Sequence, residues 1–233
     1  MSAASEPTGK ILSLFTGQAE SLWPDRPASA ICKQLAEGPL NLGALGFAGE
    51  QQADLKVHGG PEKAVHDYAS EHMDFWRRAF PDLAGRFAPG GFGENVSTVG
   101  LDEDNLCLGD ILSLGTAWVQ VCQGRQPCWK LNLHTGIAEM AAKFQKTGRT
   151  GWYYRVLESG VVAAGDDMSL LERSLPHWPL RRLIKARFDP NLDIAEALEL
   201  SRLAVLSANW RQAFGRKSHA GYVENTDARV LGT

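Results

Sequence analysis

Short apolar runs separated by glycine and proline dominate the chain up to about residue 175. In the run at 117–122, Trp118, Gln120 and Cys122 fall on one face while Val119 and Val121 fall on the other. This period of two is typical of a β-strand. The runs predict strands at residues 10–15, 28–31, 96–99, 110–114, 117–122, 152–157, 161–164 and 169–171. Glycines between residues 38 and 49 favour tight β connections, so the pattern predicts a mainly β domain.

Helical spacing appears twice within this β-rich part. Ala69, Met73, Trp76 and Phe80 form one apolar stripe, which predicts a helix that ends at Pro81. The second place is residues 130–146, whose later part is predicted to be helical. These helices are too few to change the fold class, which remains mainly β.

The pattern changes after residues 176–179, where the strand signals end. Three helical stretches follow at residues 180–188, 194–203 and 209–217, and Ser207 is the predicted cap of the third. We therefore predict a β-rich domain over residues 1–177 and a small three-helix domain over residues 178–233. A domain of that size is not very stable alone, so we expect it to pack on the β domain.

Composition and charge exclude several classes of protein. The 233 residues carry a formal net charge of −3, which gives no general attraction to nucleic acid or anionic membrane. No apolar run approaches the roughly 20 residues that cross a bilayer, and residues 1–10 lack a signal-peptide core. The 4 cysteines form no Cys-x-x-Cys pair. A cytoplasmic protein is the expectation.

Cys128 has the local chemistry of a functional cysteine. It follows Arg125 and Pro127 and precedes Lys130, at the point where a strand gives way to a loop. Neighbouring cations favour the thiolate, the form that binds metal or attacks an electrophile. Three other cysteines lie in strand-like surroundings and are predicted to pack: Cys32, Cys107 and Cys122. From the residues alone, Cys128 is either functional or one more buried thiol.

Two glycine-rich loops offer further candidates. In the first, at residues 58–66, the amides of Gly59 and Gly60 can form an anion-binding nest, and Lys63 can neutralise a phosphate. Its histidines, His58 and His66, lack helical spacing and a clear third ligand, which disfavours a zinc site. The second loop, residues 91–95, ends in Glu94 and Asn95, whose side chains suit the edge of a pterin ring. Each loop is also compatible with a purely structural turn.

The order of these segments resembles a known family. HGGPEKAV at 58–65, GFGEN at 91–95, QPCWKL at 126–131 and GWYYRVL at 151–157 resemble the MOSC domain of the YiiM type, and the helical tail resembles its three-helix extension. The resemblance covers about residues 10–218. It implies a β-barrel-like MOSC domain with a few helices, followed by three helices, and affinity for the molybdenum cofactor, a pterin that holds molybdenum through a dithiolene.

The resemblance implies a role for Cys128, and the reaction that it implies suggests roles for other residues. Cys128 matches the family's cysteine and is the expected molybdenum ligand, a soft thiolate for a sulfur-rich metal. His58 and His66 are proposed to shuttle protons near neutral pH, and His134 is a weaker candidate. The predicted anchors of the cofactor phosphate are Lys33, Lys63, Arg125 and Lys130. The other residues predicted to contact the cofactor are Gly59, Gly60, Glu94, Asn95 and Arg155.

The implied activity is reduction of N-hydroxylated compounds, including toxic base analogues such as 6-hydroxylaminopurine. A separate flavin reductase would supply the electrons, since the sequence has no flavin or dinucleotide fingerprint. Two alternatives stay open: a non-catalytic carrier of the cofactor, and a sulfur carrier that uses a Cys128 persulfide. Sulfurases of this kind use a module that binds pyridoxal phosphate. That cofactor is associated with the family, but the sequence shows no such module. A homodimer is compatible with the sequence.

Overall fold

A barrel of seven strands forms the body of the molecule in the computed structural model, which describes residues 7–54 and 59–232. The strands are β1 (Thr8–Gly17), β2 (Lys33–Leu35), β3 (Leu40–Gly43), β4 (Gly46–Phe47), β5 (Val65–Ala69), β6 (Val96–Val99), β7 (Ile111–Leu114), β8 (Ala117–Gly124), β9 (Trp152–Glu158), β10 (Gly160–Val162) and β11 (Asp167–Glu172). The barrel runs β1-β11-β7-β8-β9-β5-β6 and closes on β1. Only the β5–β6 pairing in this ring is parallel. The fold class predicted from the sequence is confirmed.

Two small additions and a set of helices surround the barrel. β2 extends the sheet beyond β1, and β10, β3 and β4 form a separate three-stranded sheet. The helices are α1 (His72–Ala79), α2 (Trp129–Thr135), α3 (Met140–Thr147), α4 (Leu180–Phe188), α5 (Ile194–Ser201), α6 (Ala208–Lys217) and α7 (Asp227–Val230). None of the helices within the described ranges is long and apolar enough to cross a membrane.

The prediction of a helix beginning near Ala69 was wrong at its start. Ala69 is the last residue of β5, and α1 begins at His72. All five residues of β5 are buried, so the strand shows no alternation of apolar and polar positions. A strand buried on both faces cannot be recognised from a period of two.

Two other predicted boundaries also differ. Residues 28–31 form no strand: Ser29 makes only an isolated bridge with Glu20, and the chain becomes a strand at Lys33. Residues 130–146 form two helices, because Gly136 ends α2 in the left-handed conformation (φ 72°). Glycine adopts that conformation without the steric cost that other residues pay.

The C-terminal helices pack directly on the barrel, as expected. Gly124, the last residue of β8, faces Ile184 of α4 and Trp210 of α6. A Cβ on Gly124 would lie 2.5 Å from Ile184 Cγ1, so this position needs glycine for close approach. Ile184 and Trp210 belong to the same hydrophobic core as the barrel residues. The predicted cap is confirmed, since Ser207 Oγ accepts a hydrogen bond from the Trp210 amide.

Asp67 on β5 makes barrel stability depend on pH. Burial raises the pKa of Asp67 to about 8, against the hydrogen bonds that Thr98 and Tyr154 donate to it. A raised pKa means that the folded state loses stability as pH rises from 3.8 towards 8. We expect Asp67→Asn to remove this loss, so that the variant gains on the wild type by up to about 1.4 kcal/mol per pH unit in that window. Urea unfolding at several pH values measures the difference.

The matched control is Asp74→Asn, the same change at an exposed carboxylate paired with Arg77. It should leave the pH profile of the unfolding free energy unchanged, because exposed pairs contribute little. Parallel profiles for Asp67→Asn and the wild type would show that Asp67 is not protonated in the folded protein near neutral pH.

Candidate functional site

Cys128 lies where β8 is followed, after a short loop, by α2. It immediately precedes the first turn of α2, with an extended backbone (φ −135°, ψ 171°). Its side chain is partly exposed and borders a cavity. By contrast, Cys107 and Cys122 are buried, as predicted. Cys128 is therefore a partly exposed cysteine beside a cavity.

Cys32 corrects the prediction that it packs in a strand. It is exposed, because the segment before it makes an isolated bridge rather than a strand. Its Sγ lies 3.5 Å from His134 Nδ1. Neither residue lines the cavity beside Cys128. Burial lowers the pKa of His134, and Arg125 lowers it further, so this histidine is neutral near pH 7.

The cavity beside Cys128 is positively charged. It has a volume of about 90 Å³, and its walls come from the segments at 29–33 and 50–53, β5, the loop at 91–95, β9 and the start of α2. Four cationic side chains line it: Lys33, Lys63, Arg125 and Lys130. Glu50 is the one carboxylate among the described lining residues. A cavity with this excess of cations favours an anionic ligand.

Lys33 and Glu50 form a buried ion pair at this wall. Each side chain is 6% exposed, and Nζ of the lysine donates to Oε1 of the glutamate. Burial lowers the pKa of Lys33, and the charge of Glu50 opposes that shift. Because Glu50 is committed to Lys33, it does little to offset the other cations.

Arg125 and Lys130 are held in place by backbone carbonyls. Arg125 Nη1 donates to the Phe92 carbonyl at 2.6 Å, and Lys130 Nζ donates to the Ala28 carbonyl at 2.8 Å. A guanidinium has five N–H donors and an ammonium three, so each retains donors for a ligand. The carbonyls therefore fix the direction of two cations whose remaining hydrogens are available to an anion.

Lys63 is the cation beside the cysteine. Burial lowers its pKa, and the charges of Cys122, Asp54 and Cys128 oppose that shift. Lys63 ends the short 3₁₀ turn Pro61–Lys63 that leads into β5. Among the cations that line the cavity, Lys63 therefore combines a lowered pKa with a position next to Cys128 in the lining.

His66 and Asn95, which both line the cavity, are joined by two hydrogen bonds. The His66 amide donates to Asn95 Oδ1 at 3.1 Å, and the Asn95 amide donates to the His66 carbonyl at 2.8 Å. Burial lowers the pKa of His66 well below 6.5, and the charges of Arg125 and Lys33 lower it further. His66 is therefore neutral at pH 7. This disagrees with the prediction that His66 gains and loses a proton near neutral pH.

The sequence reasoning missed Tyr153, which also lines the cavity. Its ring lies 5.1 Å from that of His66, across the β5–β9 pairing. Burial raises the pKa of Tyr153, so the phenol keeps its proton. The GWYYRVL motif drew attention to Arg155 instead, although strand alternation places residues 153 and 155 on the same face.

Several predicted residues lie outside the cavity lining. Gly60 donates its amide to Gln52 Oε1 at 3.1 Å, and Gly59 packs against the same side chain. The buried Glu94 carboxylate accepts from the amides of its own loop, including that of Phe92 at 3.0 Å. Arg155 pairs with Glu62 at 3.0 Å. His58 lies outside the described residues, so its predicted role stays a prediction.

The chain after α6 returns to the cysteine loop, which no sequence pattern indicated. Arg229 Nη1 donates to the Pro127 carbonyl at 2.7 Å, and Asn132 Nδ2 donates to the Val230 carbonyl at 2.9 Å. Arg26 Nη1 reaches the Gly232 carbonyl at 3.1 Å. We call residues 218–232 the C-terminal segment. It braces the loop that carries Cys128.

Comparisons with known families agree with this architecture. The MOSC domain matches residues 54–169, and the YiiM-like 3-alpha helix domain matches residues 178–217. The first match contains Lys63, His66, Arg125, Cys128, Lys130 and Tyr153. The second begins where the strands have ended and covers α4, α5 and α6, of which α4 and α6 pack on β8.

Two curated relatives and a solved structure match most of the chain, and a third relative matches about two thirds of it. Protein YiiM of Escherichia coli (strain K12) is 36% identical over 94% of this chain and 97% of its own length. The uncharacterised protein YflK of Bacillus subtilis (strain 168) is 39% identical over 89% of this chain and 93% of its own. A protein named reductase from Gibberella moniliformis (strain M3125 / FGSC 7600) is 39% identical over 68% of this chain but 29% of its own length. The crystal structure of E. coli YiiM superposes with a TM-score of 0.80 at 31% identity, covering 99% of this chain and 100% of that one.

Proposed function

The chain belongs to the MOSC domain family and carries its YiiM-like three-helix domain, and from this we propose that it is a molybdenum-cofactor-dependent reductase of N-hydroxylated compounds. The observation that carries the proposal is the partly exposed Cys128 beside a cavity lined by four cations. MOSC domains are associated with the molybdenum cofactor at the level of the family. The relative named reductase supports a redox role.

The donor set fits a metal that is bound within an organic ligand. Within the described ranges, no group of three or more histidine, cysteine, aspartate or glutamate residues is arranged to hold a metal. Cys128 would supply one soft sulfur ligand, which would suit molybdenum held otherwise by a pterin dithiolene. Lys33, Arg125 and Lys130 would bind the cofactor's phosphate, the anion that the charge of the cavity favours.

The overall reaction is balanced by two electrons and two protons. An N-hydroxylated compound R–NH–OH is converted into the amine R–NH₂ and water, as the N–O bond breaks and the oxygen leaves as water. The bound cofactor supplies the two-electron redox chemistry, and a separate flavin reductase is the proposed source of electrons.

The residues around Cys128 suit the handling of the departing oxygen. Lys63 has a lowered pKa and lies beside the thiol, so it can release a proton to that oxygen. Tyr153 keeps its phenolic proton and can donate a hydrogen bond. His66 is neutral and fixed by Asn95, so it shapes the wall of the cavity rather than titrating. His66 is buried and both Lys63 and Tyr153 are partly buried, which limits the access of water.

The test begins with protein purified from cells that make the molybdenum cofactor. We expect about one molybdenum and one pterin per chain. With a chemical reductant or a flavin reductase and 6-hydroxylaminopurine, adenine should accumulate with repeated turnover. Bound metal without turnover would overturn the reductase in favour of a carrier. A persulfide on Cys128 without stoichiometric metal would favour sulfur transfer.

A further inference from the structure

Lys63, which lines the cavity beside Cys128, belongs to a turn that does little to hold its own shape. The segment Pro61–Lys63 is a single 3₁₀ turn, closed by a hydrogen bond from the Lys63 amide to the Gly60 carbonyl at 2.9 Å. The hydrogen-bond geometry of such short turns is poor. Contacts from other elements must therefore fix the direction in which the Lys63 side chain leaves the backbone.

The carboxylate of Glu62, the residue before Lys63, makes such contacts. Its Oε1 accepts from Arg155 Nη2 of β9 at 3.0 Å, and its Oε2 accepts from the amide of Ala208, the first residue of α6, at 2.9 Å. Hydrogen bonds to a charged group are stronger than neutral ones, and a helix N-terminus favours a negative charge. Glu62 thus joins the turn both to the barrel and to the three-helix domain.

The backbone of the turn is tied to the same part of the barrel. Cys122 Sγ of β8 lies 3.1 Å from the Glu62 carbonyl oxygen. Arg155 is itself held by β8, since its Nη1 donates to Gln120 Oε1 at 3.4 Å. The position of Lys63 therefore depends on where β8, β9 and α6 hold Glu62.

Lys63 and Cys128 border the same two spaces. One is the cavity described above, and the other is a second cavity of about 320 Å³ that lies against α4 and α6. Side chains that share two cavity walls lie close to each other. A displacement of the turn would therefore change the charge next to the Cys128 sulfur.

We propose that Glu62 is a positioning residue, whose carboxylate places the Lys63 ammonium beside the Cys128 sulfur. Arg155 and the Ala208 amide hold that carboxylate in place. The inference rests on the proposed function, in which Lys63 serves the departing oxygen, and explains how Lys63 is kept at the site. The three-helix domain takes part in the site through the first amide of α6, and Arg155 acts by holding Glu62.

The test compares two alkylating reagents on the full-length chain purified from cells that do not make the molybdenum cofactor. Iodoacetate and iodoacetamide both form a thioether with Cys128 and release iodide, but iodoacetate is an anion and iodoacetamide is neutral. The thiolate is the nucleophile for both, so the ratio of their rate constants near neutral pH reports the charge around the sulfur. All variants carry Cys32→Ser, which removes the exposed cysteine, and mass spectrometry follows the peptide that contains Cys128.

Lys63→Met should lower the ratio of the iodoacetate rate to the iodoacetamide rate at least about fivefold, because a cation near the sulfur is lost. Glu62→Gln should lower it at least about twofold, since the amide nitrogen cannot accept from Arg155 or from the Ala208 amide. Charge alone predicts the opposite sign, because loss of a carboxylate makes the surroundings more positive. Glu62→Asp keeps the charge but withdraws the carboxylate by one methylene, and it should also lower the ratio.

A double variant and a matched glutamate serve as controls. When Lys63→Met is already present, Glu62→Gln should cause no further fall of the ratio, because its effect passes through Lys63. Glu196→Gln makes the same change at a partly buried glutamate, which accepts from Arg182 at 2.9 Å between α5 and α4. This variant should leave the ratio unchanged.

The proposal is overturned if the ratio does not fall in Glu62→Gln, or in Glu62→Asp where the glutamine variant folds poorly. An equal fall with and without Lys63 would also overturn it, because Glu62 would then act on another group. An unchanged ratio in Lys63→Met would mean that the ammonium does not lie beside the sulfur, with the same consequence. Failure of the loaded protein to reduce 6-hydroxylaminopurine would defeat the proposed function alone, and the alkylation ratios would still decide the role of Glu62.

Discussion

Cys128→Ser should lose nearly all bound molybdenum and, with it, reduction of 6-hydroxylaminopurine. Serine keeps the size of the side chain but replaces a soft thiolate by a hydroxyl that stays protonated at pH 7. Because loss of a residue that merely supports a metal ligand costs about 10–100-fold, loss of the ligand itself should exceed about 100-fold in metal affinity. Metal analysis and pterin fluorescence of the purified variant measure the result, with circular dichroism to confirm the fold.

The control for this prediction is Cys32→Ser. Cys32 is the exposed cysteine and lies outside the cavity, so the variant should keep wild-type molybdenum content and turnover. Full metal and full activity in Cys128→Ser would remove Cys128 as the ligand. Full metal with lost turnover would also contradict the ligand role.

The sequence predicted which cations lie near Cys128, but it did not predict how they are arranged. A phosphate favours cationic partners, and the structure brings the four predicted cations to one cavity with Cys128: Lys33, Lys63, Arg125 and Lys130. Residues as far apart as 33 and 130 meet because β2 and the start of α2 lie at the same side of the barrel. Lys63 and Lys130 lie within the motifs that carry the family resemblance, whereas Lys33 and Arg125 lie outside them.

Neighbouring residues of one motif make different contacts, and the sequence did not distinguish them. Glu94 and Asn95 are adjacent, yet Glu94 binds amides of its own loop while Asn95 lines the cavity. Tyr153 and Arg155 share a face of β9, but Arg155 is drawn to Glu62. Such differences depend on which partner lies opposite in the fold, which a single sequence does not specify. The contact of the C-terminal segment with Pro127 could not be predicted from the sequence either. It consists of a few hydrogen bonds, and no repeating apolar pattern marks it.

Glu103 is the residue whose loss should destabilise the fold most among the polar groups. It is fully buried and joins three elements: His72 Nε2 of α1 lies 2.6 Å from Oε2, and the Gly151 amide before β9 donates to Oε1 at 2.9 Å. Arg181 of α4 lies 3.5 Å away. Breaking a buried, hydrogen-bonded charge costs about 3–5 kcal/mol, because the groups left behind stay buried without partners. We expect Glu103→Ala to lose that much in urea unfolding.

The neighbouring residue provides the control. Asp104 binds the same Arg181 at 3.0 Å, but its side chain is 64% exposed. Asp104→Ala should therefore cost less than about 1 kcal/mol, the usual range for an exposed ion pair. Equal losses of unfolding free energy in Glu103→Ala and Asp104→Ala would mean that attraction to Arg181 determines the cost and burial does not.

The effect of Glu103 should also depend on pH. Burial raises the pKa of Glu103, but the hydrogen bond and charge of His72, the charge of Arg181 and the Gly151 amide outweigh it, so the pKa lies below 4.5. A lowered pKa means stability that is present above 4.5 and is lost as pH falls through the folded value. Glu103→Gln keeps the shape of the side chain but not its charge. The difference in unfolding free energy between the wild type and this variant should therefore be largest at pH 7 and decrease in acid. A gap that stays constant down to pH 3 would show that shape and hydrogen bonding, rather than the buried charge, tie α1 and α4 to the barrel.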